Sequence, residues 1–535
     1  MSFLFTLPPI PTEERTPLVE LLLGIIAAQA EQIQRAKEQI QALSDEIAIL
    51  KGLKPKPKIP KSSLEGDESQ EGKGKPSGGE KRHGSAKRSK TEELAIHSTV
   101  TLVPAGITDD WIFKGYNDFI VQGLMIDSHN TKYRRGRWLT PAGETVMAPL
   151  PPEVSGHFSA TLISYVQHQY FACRVTQPLL LEQLREIGID ISSGQLNAIL
   201  SENKDDFHSE KNELFQAGLL ASSYIQVDDT GARHQGKNGY STCLSNEFFA
   251  YFSSGKSKSR INFLEILRAS FTDYIVNADA VAYMQQQTNN KRMIALLTNE
   301  PEQCFLSQEA WLEHLTNLGI TGNRHVRVAT EGALLASAIA HGLRPEMVVL
   351  SDDAGQFNIL VHALCWVHAE RLIKKLLGFT DDQRAALATV REQIWDLYQQ
   401  LKLYRTTPQE LLKNEIITKF DEIFSQKTCF MTLNLALARL KKNKPELLRV
   451  LEIPAVPLHN NGCETDIREA VTKRKVSGGT QSDLGRRARD TFLSLKRTCR
   501  KLGVSFWKYL NDRNAAVRNI PSLAQLITER AVARV

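Results

Sequence analysis

Cysteine is scarce and scattered. The seven cysteines (Cys173, Cys243, Cys304, Cys365, Cys429, Cys463, Cys499) are odd in number and include no C-x-x-C pair. Neither a disulfide scaffold nor a four-cysteine zinc site is expected from them, and a reduced, cytoplasmic setting fits better. Long apolar runs are missing too: none reaches the ~18–20 residues of a membrane span. The opening MSFLFTLPPIPTEERTP has no basic stretch ahead of its apolar residues and is broken by prolines, so it does not read as a secretion signal. Charge of one sign is barely in excess. Lys and Arg number 66 against 60 Asp and Glu, for a net +6, a mild bias toward anionic partners that decides little alone. There is no internal repeat. What is present is apolar content, 42% beside 24% charged residues over a length of 535. That suffices for packed cores in about three or four domains of ~150 residues.

Residues 18–51 carry a heptad. Val19, Ile26, Ile33, Ile40 and Ile47 recur every seventh position, with Leu22, Gln29, Ala36, Leu43 and Leu50 three positions later. β-Branched residues at a and Leu at several d positions favour a parallel two-stranded coiled coil. Residues 15–52 are therefore expected to form such a helix and to make the protein a homodimer. The stretch 53–97, rich in Lys, Gly, Ser and Pro, cannot bury enough apolar area to order itself. From Lys51 to Thr91 there are 12 Lys/Arg against 5 Asp/Glu. Such a basic, disordered linker can contact phosphates without sequence preference or act as a solvated spacer.

Residues 98–150 alternate strand-like runs with turn residues and read as a small β-rich module. The cluster Lys132, Tyr133, Arg134, Arg135, Arg137, Trp138 mixes cations with aromatics, as nucleic-acid surfaces do; exposed hairpins use the same residues for solubility. Residues 151–215 read as helical. A helix over Gln177–Ile187, a turn at Gly188 and a second helix opened by a Ser192-x-x-Gln195 capping box give a helix-turn-helix outline. Most helical hairpins share that outline without reading DNA.

After Gly218 the pattern turns to strands: SSYIQVDDTG (222–231), GYSTCLSNEFFAYFSSG (239–255) and MVVLSDDAGQF (347–357). Residues 380–450 are strongly helical, with Leu387, Val390, Ile394, Leu397 and Leu401 at 3–4 spacing. Thr407-Pro408-x-Glu410 reads as a helix start with cap, first-turn proline and acidic third position. Two of the strands share a shape. Both VDDTG (227–231) and LSDDAGQF (350–357) run an apolar strand into two aspartates and a turn. An aspartate there is pinned by the sheet. Two such strands side by side would bring together carboxylates that repel unless divalent cations neutralise them, although each pair alone is an ordinary turn former. The third piece is HNNGCETDIREAVTKRKVSGG (459–479), with Glu464 near a helix start and Arg468 at i+4. From Glu464 to Lys508 there are 12 Lys/Arg against 5 Asp/Glu. A carboxylate leading into so basic a segment suits a metal site facing a polyphosphate backbone; the plainer reading is an exposed helical ion pair.

In this order VDDTG, LSDDAGQF with CWVHAER (365–371), and NNGCETDIREAVTKRKVSGG resemble the DDE transposases of the insertion sequence 66 family, from about residue 155 to 511. The coiled coil and basic linker match that family's layout as well. The resemblance implies an α/β fold: an RNase H-like catalytic core over 220–511, with inserts at 272–346 and a helical one at 369–458, then a tail helix at 512–535. Carried over by position, it implies Asp228, Asp352 and Glu464 as the catalytic, metal-holding triad, with Asp229 and Asp353 as adjacent alternatives. The family usually has a cysteine zinc-finger-like segment ahead of the catalytic domain, but residues 96–150 contain no Cys. His362, Cys365 and His368 have ligand-like chemistry without an obvious fourth partner. CWVHAER therefore reads as a buried Cys and a satisfied His rather than a zinc site.

The implied chemistry uses two Mg²⁺ ions, or Mn²⁺, ~3.5–4 Å apart. One would activate water or a DNA 3′-hydroxyl, and the other would stabilise the leaving 3′ oxygen. The implied partner is double-stranded DNA, as transposon ends and target. Phosphate contacts are expected from Arg468, Lys473, Arg474, Lys475, Arg486 and Arg487, and from Lys132, Arg134, Arg135 and Arg137. Two other readings stand beside this one: a dimeric DNA-binding accessory protein with an inactive transposase-like domain, and a metal-dependent nuclease without strand transfer. The expected setting is the bacterial cytoplasm.

Overall fold

The computed structural model describes residues 16, 18, 19, 29 and 32, and residues 95–533 apart from 107–111, 152, 153, 155 and 301. Nearly all of the coiled coil expected at 15–52 and of the linker at 53–97 lies outside the described residues. The chain divides into two units.

The smaller unit comprises 67–150 and 182–191. Among its described residues the only paired strands are β1 (Arg137–Leu139) and β2 (Thr145–Met147), an antiparallel hairpin with Trp138 opposite Val146. Among the described residues of 98–150, the strands of the expected β-rich module amount to this hairpin. Its alternating pattern is not buried among the described residues: Phe119 and Met125 are each 89% exposed. The turn expected at Gly188 is present. This residue sits at φ +81, and Ile189 N–H returns to the Leu184 carbonyl at 2.9 Å, closing the end of the helix Gln177–Glu186 as left-handed glycines do.

The larger unit is a mixed α/β structure. Its strands are β3 (Tyr224–His234), β4 (Lys237–Ser245), β5 (Ala250–Gly255), β6 (Tyr274–Val276), β7 (Gln303–Phe305), β8 (Val348–Ser351) and β9 (Val361–Leu364). β6 and β7 form a separate antiparallel pair. The other five make one sheet in the order β5-β4-β3-β8-β9. β3, β4 and β5 are antiparallel, while β8 joins β3, and β9 joins β8, in parallel. The central strands are apolar on both faces, as layered sheets require: Ile225, Val227, Val348, Val349 and Leu350 are all fully buried.

Helices cover this sheet. Asp483–Lys501 seals its border at β5 through side chains one turn apart. The N–H groups of Ala250, Phe252 and Ser254 donate to Thr498 Oγ1, Ser494 Oγ and Asp490 Oδ2 at 3.1, 2.9 and 2.8 Å. Alternate strand positions thereby meet every fourth helical residue, and an otherwise open edge is satisfied. The chain between β5 and β8 contains β6, β7 and the long helix Asn323–Ala340, which is buried continuously from Val328 to Ala338.

Between β9 and residue 458 lie the helices Trp366–Lys374, Asp381–Thr406, Glu410–Ser425 and Met431–Lys442. They enclose a core of their own. Val390, Ile394, Leu397 and Leu401, expected on one face, are buried there with Trp366, Phe420 and Phe424, and Leu387 packs at the margin. The helix expected to open at Thr407-Pro408 starts at Glu410 instead. Thr407 closes the preceding helix, its N–H returning to the Leu403 carbonyl at 2.9 Å. The Ser192 capping box forms in both directions: Gln195 N–H donates to Ser192 Oγ at 3.2 Å, and Ser192 N–H donates to Gln195 Oε1 at 2.9 Å. Among the described residues no helix is long and apolar enough to cross a membrane.

Candidate active site

The sheet brings two of the three expected carboxylates together. β3 and β8 pair in parallel with Tyr224 beside Val348, Ile225 beside Val349 and Gln226 beside Leu350. Continuing that register two positions sets Asp228 beside Asp352, just past the end of β8. Asp228 Oδ1 accepts the Asp229 N–H at 2.8 Å. Asp352 Oδ1 accepts the Ala354 N–H at 3.1 Å, the local turn that aspartates favour.

The neighbouring aspartates have other partners. Asp229 Oδ2 accepts from Gln356 Nε2 at 2.8 Å, so the Gln of LSDDAGQF belongs to this turn. Asp353 pairs with Arg439, whose Nε lies 3.0 Å from Oδ2, and is approached by Asn443 Nδ2 at 3.5 Å.

Glu464 arrives on the helix Asn461–Ser477, and the residues before it dock that helix against β3. Asn460 Nδ2 donates to the Val227 carbonyl at 2.8 Å. Cys463 N–H donates to Gln226 Oε1 at 2.9 Å, and its thiol donates to the Cys243 carbonyl at 3.3 Å. Gly462 is required by close approach, since a Cβ there would lie 2.5 Å from Gln226 Oε1. The Asn-Asn-Gly-Cys-Glu run is thus an anchoring sequence. It fixes the first turn of the helix beside Asp228, where the helix dipole favours a carboxylate.

Electrostatics tie the three together. Burial pushes Asp228 up to about 7, and the charges of Asp352, Glu464 and Asp229 push in the same direction against the Asp229 N–H bond. Glu464 Oε1 is buried and accepts no hydrogen bond. The His368 imidazole, with Nε2 at 3.7 Å, and the Arg371 guanidinium, with Nη1 at 3.6 Å, approach it from the helix Trp366–Lys374. Among the described residues no three His, Cys, Asp or Glu side chains are gathered closely enough to enclose a metal ion as they stand. What suits a cation here is the chemistry of the donors and not their present spacing. An oxygen-only, mutually repelling set, with one carboxylate driven toward protonation and another holding an unsatisfied buried oxygen, is the chemistry that hard divalent cations relieve.

The three residues with zinc-like chemistry do not converge. His362 is buried on β9, bonded to Ser351 Oγ at 2.9 Å, and burial pushes it down to about 4. Cys365 Sγ accepts the Asn460 N–H at 3.2 Å, and burial pushes its thiol up to about 12, away from the thiolate that metals bind.

The expected basic contacts fall into several classes. Arg468 and Lys475 are exposed on the Glu464 helix, and Arg487 is exposed on the next one. Arg474 is half-buried beside Gly231 of β3. Arg486 pairs with Asp483 at 2.8 Å. Lys132, Arg134, Arg135 and Arg137 are exposed in the smaller unit, where Arg135 Nε donates to the Ala148 carbonyl at 2.6 Å. Lys473 departs from expectation. It is 2% exposed, donates to the Tyr170 carbonyl at 2.8 Å and lies 3.5 Å from the Tyr170 ring centroid. Burial, then the charges of Arg489, Lys496 and Arg174, push it down to about 7. It is an interior residue with no surface to offer a phosphate. Other cations of the basic segment also face inward: Arg497 and Lys501 flank the fully buried Asp466, and Lys496 pairs with Glu469 at 3.0 Å.

Gln226, Gln356, Asn460 and Arg371 were not singled out as site residues by sequence reasoning, and His368 was weighed only as a zinc ligand and set aside. The usable signal was the C-x-x-H-x-x-R spacing, which puts three side chains on one helical stripe.

The model of the Transposase IS66 family matches residues 337–488, a span that includes Asp352, CWVHAER and Glu464. An uncharacterized protein of Sinorhizobium fredii (strain NBRC 101917 / NGR234), y4jO, is 43% identical over 321 residues, which is 59% of this chain and the whole of that protein. The chain belongs to the IS66 family of transposases.

Proposed function

We propose that the protein is a DDE transposase that cleaves and joins DNA at the ends of a bacterial insertion sequence by metal-dependent phosphoryl transfer. The observation that carries this reading is the parallel pairing of β3 with β8, whose register runs on from Gln226 beside Leu350 toward Asp228 and Asp352, together with the docking of the Glu464 helix on β3 through Asn460 and Cys463. The sheet supports it. Three antiparallel strands followed by two parallel ones beyond β3 is the order expected of an RNase H-like core.

In this reading Asp228, Asp352 and Glu464 would hold the divalent cations, Mg²⁺ or Mn²⁺. When bound, the ions supply an activated nucleophile and neutralise charge on the leaving 3′ oxygen. The protein's own part is positioning. β3 and β8 fix the two aspartates, and Gln226, Asn460 and Gly462 fix the helix that carries Glu464. Arg468, Arg474, Lys475 and Arg487 hold backbone phosphates near the carboxylates, with Lys132, Arg134, Arg135 and Arg137 as a second basic surface. The 15–52 coiled coil would pair two subunits so that two DNA ends are held at once.

The test is an assay with labelled transposon ends and target DNA in Mg²⁺. Joined product is expected from the wild type. Asp352→Asn should abolish cutting and joining while leaving DNA binding intact. Cut product alone would point to a nuclease, and binding alone to an accessory protein.

A further inference from the structure

CWVHAER is the motif that the three carboxylates leave unexplained. Cys365, His368 and Arg371 are spaced i, i+3, i+6 and so lie along one stripe of their helix. Each touches the start of the helix that bears Glu464. Cys365 Sγ takes the Asn460 N–H, and Trp366 N–H adds a bond to the Leu458 carbonyl at 2.9 Å. His368 Nε2 and Arg371 Nη1 then approach one and the same oxygen, Glu464 Oε1, at 3.7 and 3.6 Å. Those distances are too long for directed hydrogen bonds, and Oε1 accepts none. The carboxylate is therefore held by charge, with its lone pairs still available. A guanidinium placed this way neutralises a ligand without saturating it.

We propose that Arg371, with His368 beside it, is a positioning residue that acts as the counter-ion of Glu464 in the metal-free protein and competes there with the divalent cation. The proposal rests on the metal-binding reading of the site given above. A guanidinium keeps its charge at every working pH, so the competition is permanent. Removing a unit positive charge within a few ångströms of a divalent-ion site should tighten binding by about tenfold. The same removal leaves three carboxylates facing one another with less compensation, which lowers the stability of the metal-free protein. The C-x-x-H-x-x-R stripe thus sets the metal affinity of the site from outside the ligand set.

The experiment is a Mn²⁺ titration of the full-length protein without DNA, followed by thermal melting. Arg371→Met should melt lower than wild type without metal and reach half of its metal-induced stabilisation at about one-tenth of the Mn²⁺ concentration. Arg371→Gln, a smaller perturbation of packing, should behave in the same way, and Arg371→Lys should return both readings toward wild type. Asp228→Asn and Glu464→Gln are the controls. If neither weakens the response to Mn²⁺, the metal-site reading itself fails. If both weaken it while the neutral Arg371 variants leave the midpoint unchanged or move it higher, the counter-ion proposal is overturned.

Discussion

Asp228 ionises against its surroundings. Its folded value of about 7 lies above the ordinary carboxylate range because of burial first and the facing carboxylates next. The unfolded chain releases this proton near the usual ~3.9. Between those two values the folded state holds more protons, so stability falls as pH rises and levels off above pH 7. Asp228→Asn removes the ionisation. Without metal, the variant should match wild type near pH 4 and exceed it by roughly 1–3 kcal/mol at pH 8, allowing for solvent screening. Urea denaturation at the two values checks this, and equal stability at pH 8 would contradict the electrostatic account. Asp352 was legible in the sequence because it follows an apolar strand that stops one residue earlier, at Ser351; the turn expected after VDDTG does not form, since Asp228 and Asp229 lie inside β3, which stays paired with β4 as far as His234. The division of labour within each pair was not legible. Asp353 is taken by Arg439, 86 positions away, and Asp229 by Gln356, 127 positions away. Lys473 was misread for the same reason. Its partner Tyr170 lies 303 positions earlier, and no local pattern separates an interior lysine from an exposed one.

At the scale of elements, the start of the Glu464 helix is built around one missing side chain. A methyl at position 462 would press on Gln226 Oε1, the atom that accepts the Cys463 N–H. Gly462→Ala should therefore displace that acceptor and cost about 1–2 kcal/mol, measured by chemical denaturation. It should also lower DNA joining more than DNA binding, because Glu464 sits two residues on. An unchanged joining rate would show that the docking is looser than these contacts imply. The long helices of 380–450 were readable from periodicity, since apolar faces repeat every three or four residues wherever a core is local. The start at Glu410 rather than Pro408 was not. The same Thr407 suits a cap or a helix end, and the length of the preceding helix decided which.

At the scale of the whole molecule, the basic surplus near the C-terminus has two destinations. Arg497, Lys501 and Lys496 offset Asp466 and Glu469 in the interior. Arg468, Lys475 and Arg487 stay at the surface. A count of charges along the chain merges these groups, which is why the size of a DNA-binding surface could not be taken from it. The separation makes a testable distinction. Lys475→Ala should weaken binding uniformly across DNA sequences and reduce the slope of log affinity against log salt by about 1. Lys473→Met should leave that slope unchanged. A slope that falls equally for both would mean that Lys473 reaches DNA after all.

The stitching of β5 to the helix Asp483–Lys501 carries an implication for assembly. With Thr498, Ser494 and Asp490 occupying its outward amides, that border cannot act as a template on which a foreign peptide zips itself in register. Any companion chain approaching from that side must engage helical flanks and loops, so docking there is governed by side-chain chemistry rather than by main-chain pairing.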